Sequence, residues 1–224
     1  MVGFKGFWKT LGNIGKRLFY KRETKLSLYL FSAMHHTMID IMANFYEDNY
    51  EDAMESLIDL VKPLSEEIIS ELLFETSVLG VSFKKIISKF KDPKDFAYII
   101  DMAMYSVWGG GFKKIFSKTK YLSAIESSEK VHTYVLMMKS CPFCFLTMVS
   151  PEKFGAYRFG KLLTLTIEQI VQLSQDFLGN NFQVVAREVK CFHQGDPCGE
   201  IRIWLYPRDN LQLMESNPYL HQIK

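Results

Sequence analysis

The residues of this chain best suited to chemistry are its four cysteines, which fall in two short segments. Cys141-Pro142-Phe143-Cys144 sets two thiols three residues apart, and Cys191 and Cys198 bracket the turn Phe192-His193-Gln194-Gly195-Asp196-Pro197. A Cys-x-x-Cys pair chelates zinc well, and thiolates from two segments can close a tetrahedral site. Cys141, Cys144, Cys191 and Cys198 are therefore candidate metal ligands, with Glu188 and His193 in reserve. A closed four-cysteine site would be structural, whereas three ligands and an open position would allow sensing. Cys-Pro-Phe-Cys also has the spacing of a redox dithiol, a motif that belongs at a helix N-terminus in a thioredoxin-like element order. A cysteine nucleophile with His132 or His193 as its base would make a hydrolase. Buried structural cysteines complete the set of readings, and the residue types alone leave all of them open.

The elements that must hold these thiols are legible as periodicities. Leu26 to Tyr46 has the apolar spacing of a helix through Leu30, Met34, Met38, Ile41, Met42 and Phe45. His35 and His36, adjacent within it, point in two directions and would chelate poorly. Asp52 is a candidate cap for a second helix over Ala53 to Phe74, with a break or kink expected at Pro63. A short helix follows over Ser82 to Phe90. Asp92-Pro93 then opens another, which runs through Phe96, Ile99, Ile100, Met104 and Val107 to Gly109-Gly110-Gly111. The glycine run has neither a preceding strand nor a following Gly-Lys-Ser/Thr, so it is a helix stop and no phosphate cradle. Phe112 to Tyr121 and Lys130 to Lys139 are rich in aromatic and β-branched residues and are expected as antiparallel strands. A long helix over Phe159 to Leu178 precedes two last strands, Phe182 to Cys191 and Gly199 to Tyr206. This order predicts an α+β domain, with helices packed on one antiparallel sheet.

Charge divides the chain further. Residues 1–25 hold seven Lys and Arg against Glu23, a net +6, so the overall +2 leaves the remainder at −4. Phe4, Phe7, Trp8, Leu11, Ile14, Leu18 and Phe19 fall at helical spacing among those cations. That is a basic amphipathic segment, suited to an anionic membrane surface or to docking on the protein's own body or a second subunit. The division expected is a basic segment over 1–25, one domain over 26–207 and a polar, loosely ordered tail over 208–224. An acidic body without a helix-turn-helix or zinc-finger spacing speaks against nucleic acid. The start lacks a secretory apolar core, no apolar run is long enough to span a bilayer, and four cysteines fit reduced thiols. The expected location is cytoplasmic, with peripheral membrane contact through residues 4–19.

A long helix leading to a strand that ends Arg187-Glu188-Val189-Lys190-Cys191, then Gly195-Asp196-Pro197-Cys198 and an apolar strand, resembles the C-terminal half of 4-vinyl-reductase-type domains. These share a fold with the small core subunits of the TRAPP vesicle-tethering complex and with haem nitric-oxide-binding relatives. The match spans about Met137 to Tyr206. The resemblance implies a non-enzymatic, usually homodimeric module that binds an apolar, aromatic or lipid-like molecule in a cavity among the helices. Met34, Met38, Phe96, Ile100, Met104, Leu162, Leu165 and Ile170 are the candidate lining. It also implies zinc beside the cavity, held in some relatives by three cysteines and a carboxylate. Cys191 occupies the first family position. Cys198 stands one residue early, where Gly199 would match, and Ala156 to Phe159 lack the cysteine of the long helix. Alternatives that follow from the same likeness are a TRAPP-like tethering or scaffold subunit meeting membranes through its N-terminal segment, and a cysteine-dependent hydrolase.

Overall fold

Two helices form a hairpin at the start of the described chain. In the computed structural model the described residues are 28–75, 77–78, 81–108, 112–141, 150–154, 157–158 and 160–221. The N-terminal basic segment and Cys144 lie outside them. Helix α1 (Leu28–Phe45) buries His35, Ile39 and Ala43, a stripe with the four-residue spacing of one helix face. The chain reverses through Glu47 and Asp48, both at positive φ, into α2 (Tyr50–Phe74). Asn49, rather than Asp52, caps α2: its side-chain oxygen accepts from the backbone N–H groups of Glu51 and Asp52. Asp52 instead lies in the first turn, where its charge favours the helix dipole.

Pro63 does not break α2, which runs through it unbroken. A proline there deletes one ladder hydrogen bond, and the region is tied instead to a later helix, α6 (Lys161–Phe177). Gln169 of α6 donates to the Lys62 carbonyl at 2.7 Å, and the Ser65 hydroxyl bonds Gln169 Oε1 and lies 3.1 Å from the same carbonyl.

A two-stranded hairpin, β1 (Ser77–Val78) and β2 (Val81–Ser82), leads into α3 (Phe83–Ile87), whose N-cap is the Ser82 hydroxyl. Helix α4 (Pro93–Trp108) starts as its sequence predicts, with the Asp92 carboxylate accepting from Lys94 N–H at 2.9 Å. The expected strand over 112–121 begins as a helical turn instead. Phe112, Ile115 and Phe116 are all buried, a three- and four-residue spacing that a strand cannot put on one face. Phe112–Ile115 forms α5, and only Lys120–Leu122 becomes β3.

The sheet is antiparallel in the order β3-β4-β6-β5, with β4 His132–Met138, β5 Phe182–Lys190 and β6 Gly199–Pro207. Alternation sends Tyr134, Leu136, Val184, Ala186, Ile201 and Ile203 to the inner face, against a core from α3, α4, α5 and α6. Gly199, opposite Met138, allows close approach there: a Cβ would fall 2.9 Å from Met138 Cβ. Helices on an antiparallel sheet make this an α+β domain, the class its sequence predicts.

The outer face is also covered. Val185, Trp204 and Tyr206 pack against residues of the C-terminal segment that was expected to be loosely ordered. Two single-turn helices, α7 (Gln212–Glu215) and α8 (Pro218–His221), hold it down. Tyr219 stacks on Trp204 at 5.9 Å, and Asn217 donates to the Tyr206 hydroxyl at 2.5 Å. The polarity of this segment misleads because a few apolar residues per turn suffice to cover a sheet face. Beside it, Arg202 bonds Glu200 and Glu129 at 2.7 and 3.1 Å, and Lys190 pairs with Glu200 at 2.9 Å. Burial pushes the Glu200 carboxyl up, but the hydrogen bonds from Lys190 and Arg202 outweigh it and hold it below its ordinary value.

Candidate functional site

Two features of the described residues carry chemistry or binding potential. The first is a carboxyl group inside the protein. β5 alternates inward at Val184 and Ala186, so the same register turns Glu188 inward at the strand's end, just before a bulge. Glu188 is 3% exposed. Burial holds its carboxyl well above the ordinary carboxylate range, and the Cys191 and Cys141 thiols push the same way. The Arg158 guanidinium pulls it down without prevailing. Cys191 hydrogen-bonds the carboxyl, yet among the described residues Glu188 Oε2 has no hydrogen-bond partner, and neither do Nε and Nη1 of Arg158. Arg158 Nη1 lies 3.9 Å from Asp196, whose other role is to accept from Cys191 N–H at 2.8 Å. The backbone at Gly160 presses on the carboxyl: a Cβ there would sit 2.8 Å from Oε2.

Cys141 and Cys191 therefore share one centre with Glu188, while Cys198, half-exposed, acts on Lys190 instead. Cys144 lies outside the described residues. Among the described residues no group of three or more His, Cys, Asp or Glu side chains is placed to hold a metal ion. His193 packs its ring edge-on to Phe154 at 5.7 Å. His132 sits at the start of β4, where its Nδ1 is 2.7 Å from the Tyr121 hydroxyl. Cys141 follows the other end of that strand, roughly 20 Å away along it, too far for His132 to serve it as a base.

The candidate cavity residues divide between two clusters. Phe96, Ile100, Met104 and Ile170 belong to the core beneath the sheet. Met38 and Leu162 pack in a second cluster, with Ile39, Met54, Leu57 and Phe154, and Cys141 and Tyr157 adjoin it. Leu165 is buried on α6. Met34 is 59% exposed, because the inward stripe of α1 runs through His35, Ile39 and Ala43 and leaves it on another side.

The second feature is an apolar surface on the α1–α2 hairpin. Met34, Ile41 and Phe45 of α1 and Leu60, Leu64 and Ile68 of α2 are each more than half exposed. The α2 trio has the exact four-residue spacing of one stripe, and Glu67 and Glu71, three residues beyond Leu64 and Ile68, run along its edge, both exposed. The helix holds seven acidic residues against Lys62, a net −6. No described helix is long and apolar enough to cross a membrane.

Reading the sequence picked out the cysteines but treated Glu188 only as a reserve ligand and passed over Arg158. The period-two run Phe182, Val184, Ala186, Glu188 was the available signal for a buried carboxyl. No such signal marks the stripe, since spacing of four at 60, 64 and 68 looks the same in a core helix as in an exposed one.

No known family model matches this chain, and no curated protein matches it. Among solved structures it is similar to a trafficking protein particle complex subunit 3 from Naegleria fowleri covalently bound to palmitic acid. The two share 15% identity at a TM-score of 0.47, over 80% of this chain and 95% of that one.

Proposed function

We propose that this chain is a non-enzymatic assembly module, of the tethering or scaffold kind, that docks a basic amphipathic helix on its α1–α2 hairpin. The observation that carries the reading is the stripe Leu60, Leu64 and Ile68, exposed on an acidic helix whose hairpin partner also exposes Met34, Ile41 and Phe45. Contiguous exposed apolar surface rimmed by charge marks an interaction site, and a helix laid in such a face is a recurrent mode of recognition. The rim is negative, so the matching partner face is apolar with lysine and arginine at its margins. The test is fluorescence anisotropy with a labelled 18-residue Leu/Lys amphipathic peptide and its Leu/Glu counterpart. The Leu/Lys peptide binds, and the Leu64→Glu/Ile68→Glu variant loses that binding while its thermal unfolding is unchanged. Equal binding of both peptides, or binding undiminished in the variant, refutes the reading.

A second reading, binding of a small apolar molecule with a polar end, is favoured by the unpartnered Glu188 Oε2 and Arg158 nitrogens. Buried polar groups without partners are rare in folded proteins and call for a water, ion or ligand. The apolar body of such a molecule would lie toward Met38, Phe154 and Leu162. Native mass spectrometry of the purified protein tests this: a co-purified molecule lost in Arg158→Met supports it, and a ligand-free mass under all conditions refutes it.

A further inference from the structure

We infer that the basic segment Phe4–Lys25 of this same chain is a tethered occupant of the α1–α2 face, and so regulates access to it. The inference rests on the docking role proposed for that face and names what covers it when no partner is present.

Three observations converge on this occupant. The first is charge: residues 1–25 carry +6, and exposed Glu67 and Glu71 edge the stripe on a helix of net −6. A second copy docking by the same face would set Glu67 and Glu71 against like charges, and an anionic membrane would meet the same repulsion. The second is pattern. Phe4, Phe7, Trp8, Leu11, Ile14 and Leu18 recur at helical spacing, the apolar complement of a helical stripe. The third is position. Leu28 lies seventeen residues before the end of α1, and Glu67 lies seventeen residues after the start of α2. In a hairpin of two helices these points are at the same height above the turn. The chain preceding α1 therefore joins it level with Leu64 and Ile68. Residues 4–19 as a helix would span about 24 Å, against about 12 Å from Leu60 to Ile68. The eight residues 20–27 reach at most about 28 Å when extended, enough to let the segment fold back on the stripe.

A tethered segment competes with any free helix at a local concentration of about a millimolar. The experiment uses the full-length chain and the same labelled Leu/Lys peptide. Disabling the segment by Phe7→Asp/Trp8→Asp should tighten peptide binding about tenfold. In parallel, carbodiimide joins contacting lysine and carboxylate side chains in a mixture of nitrogen-15-labelled and unlabelled protein. The expected cross-links run from Lys9, Lys16 or Lys21 to Glu67 or Glu71, within one isotope label only, and disappear in Glu67→Lys/Glu71→Lys. Mixed-label cross-links would show the segment reaching a second copy and overturn the inference. So would equal peptide affinity with and without the two aspartates. Failure of the peptide to bind either protein would instead remove the docking role itself, a distinct outcome that takes this inference with it.

Discussion

Replacing Glu188 by glutamine tests the buried carboxyl most directly, because it keeps the shape and deletes the proton equilibrium. In the unfolded chain a glutamate ionises near pH 4.3. In the folded protein burial, reinforced by the Cys191 and Cys141 thiols, holds this carboxyl protonated to higher pH. The folded state therefore binds more protons than the unfolded state above about pH 4.3, and stability contributed by this group falls as pH rises. The loss begins at the unfolded pKa and ends at the raised folded one. Its limiting slope is about 1.4 kcal/mol per pH unit for one proton. Glu188→Gln has no such loss, so its stability relative to the wild type should climb with pH from about 4.5 upward. One pH unit at that slope displaces Tm by roughly 3–6 °C in a chain of this size. Carboxyls with the opposite shift, such as Glu200 and Glu129, titrate in both proteins and cancel in the difference. Urea unfolding followed by circular dichroism at pH 4.5, 5.5, 6.5 and 7.5 measures it. Parallel curves, with the difference constant to about 0.3 kcal/mol, would show that the carboxyl ionises normally and refute the argument.

Other consequences are simpler to measure. Gly160→Ala drives a methyl against Glu188 Oε2 at 2.8 Å and should cost about 1–3 kcal/mol in urea unfolding; a neutral effect would mean that the carboxyl swings aside freely. Iodoacetamide followed by mass spectrometry should label half-exposed Cys198 well before Cys191, which is 1% exposed; equal rates would contradict the burial. Asn49→Ala removes the acceptor for two backbone N–H groups at the start of α2 and should cost about 1 kcal/mol. An Asp52→Ala cost exceeding it in the same assay would return the cap to Asp52.

The strands around the cysteines were the most legible part of the chain. Phe182–Lys190 and Gly199–Pro207 are rich in β-branched and aromatic residues, and the Gly-Asp-Pro turn between them punctuates both. Helix α4 was equally plain, since Asp92-Pro93 states its start chemically. The misreadings share one cause, the dependence of local pattern on distant partners. Phe112 to Phe116 looks β-prone by composition, but the core requires three of its side chains on one side, which only a helical turn provides. Pro63 looks like a break, yet α2 runs through it, and Gln169 of α6 bonds the carbonyl of the residue before it. Alternation and a bulge decide which thiols face Glu188, and spacing in sequence does not report the bulge.

The energetics of the hairpin face favour a tethered occupant over a free one. Its six exposed apolar side chains, each already partly covered, would contribute together roughly 5–10 kcal/mol on full burial. Free association costs an estimated 4–15 kcal/mol in translational and rotational freedom before any surplus appears. An untethered helix of matching chemistry would thus bind weakly unless it brought further contacts. A segment joined to α1 has most of that cost removed by its covalent connection, so the same surface suffices to hold it. A partner that displaces it must then supply either a larger apolar face or a higher local concentration, and an assembled complex supplies both. The acidic rim sharpens this: raising the ionic strength weakens the attraction of the basic segment to Glu67 and Glu71 more than it weakens apolar burial. The gap in peptide affinity between the native and Phe7→Asp/Trp8→Asp proteins should therefore narrow from low salt to 0.5 M.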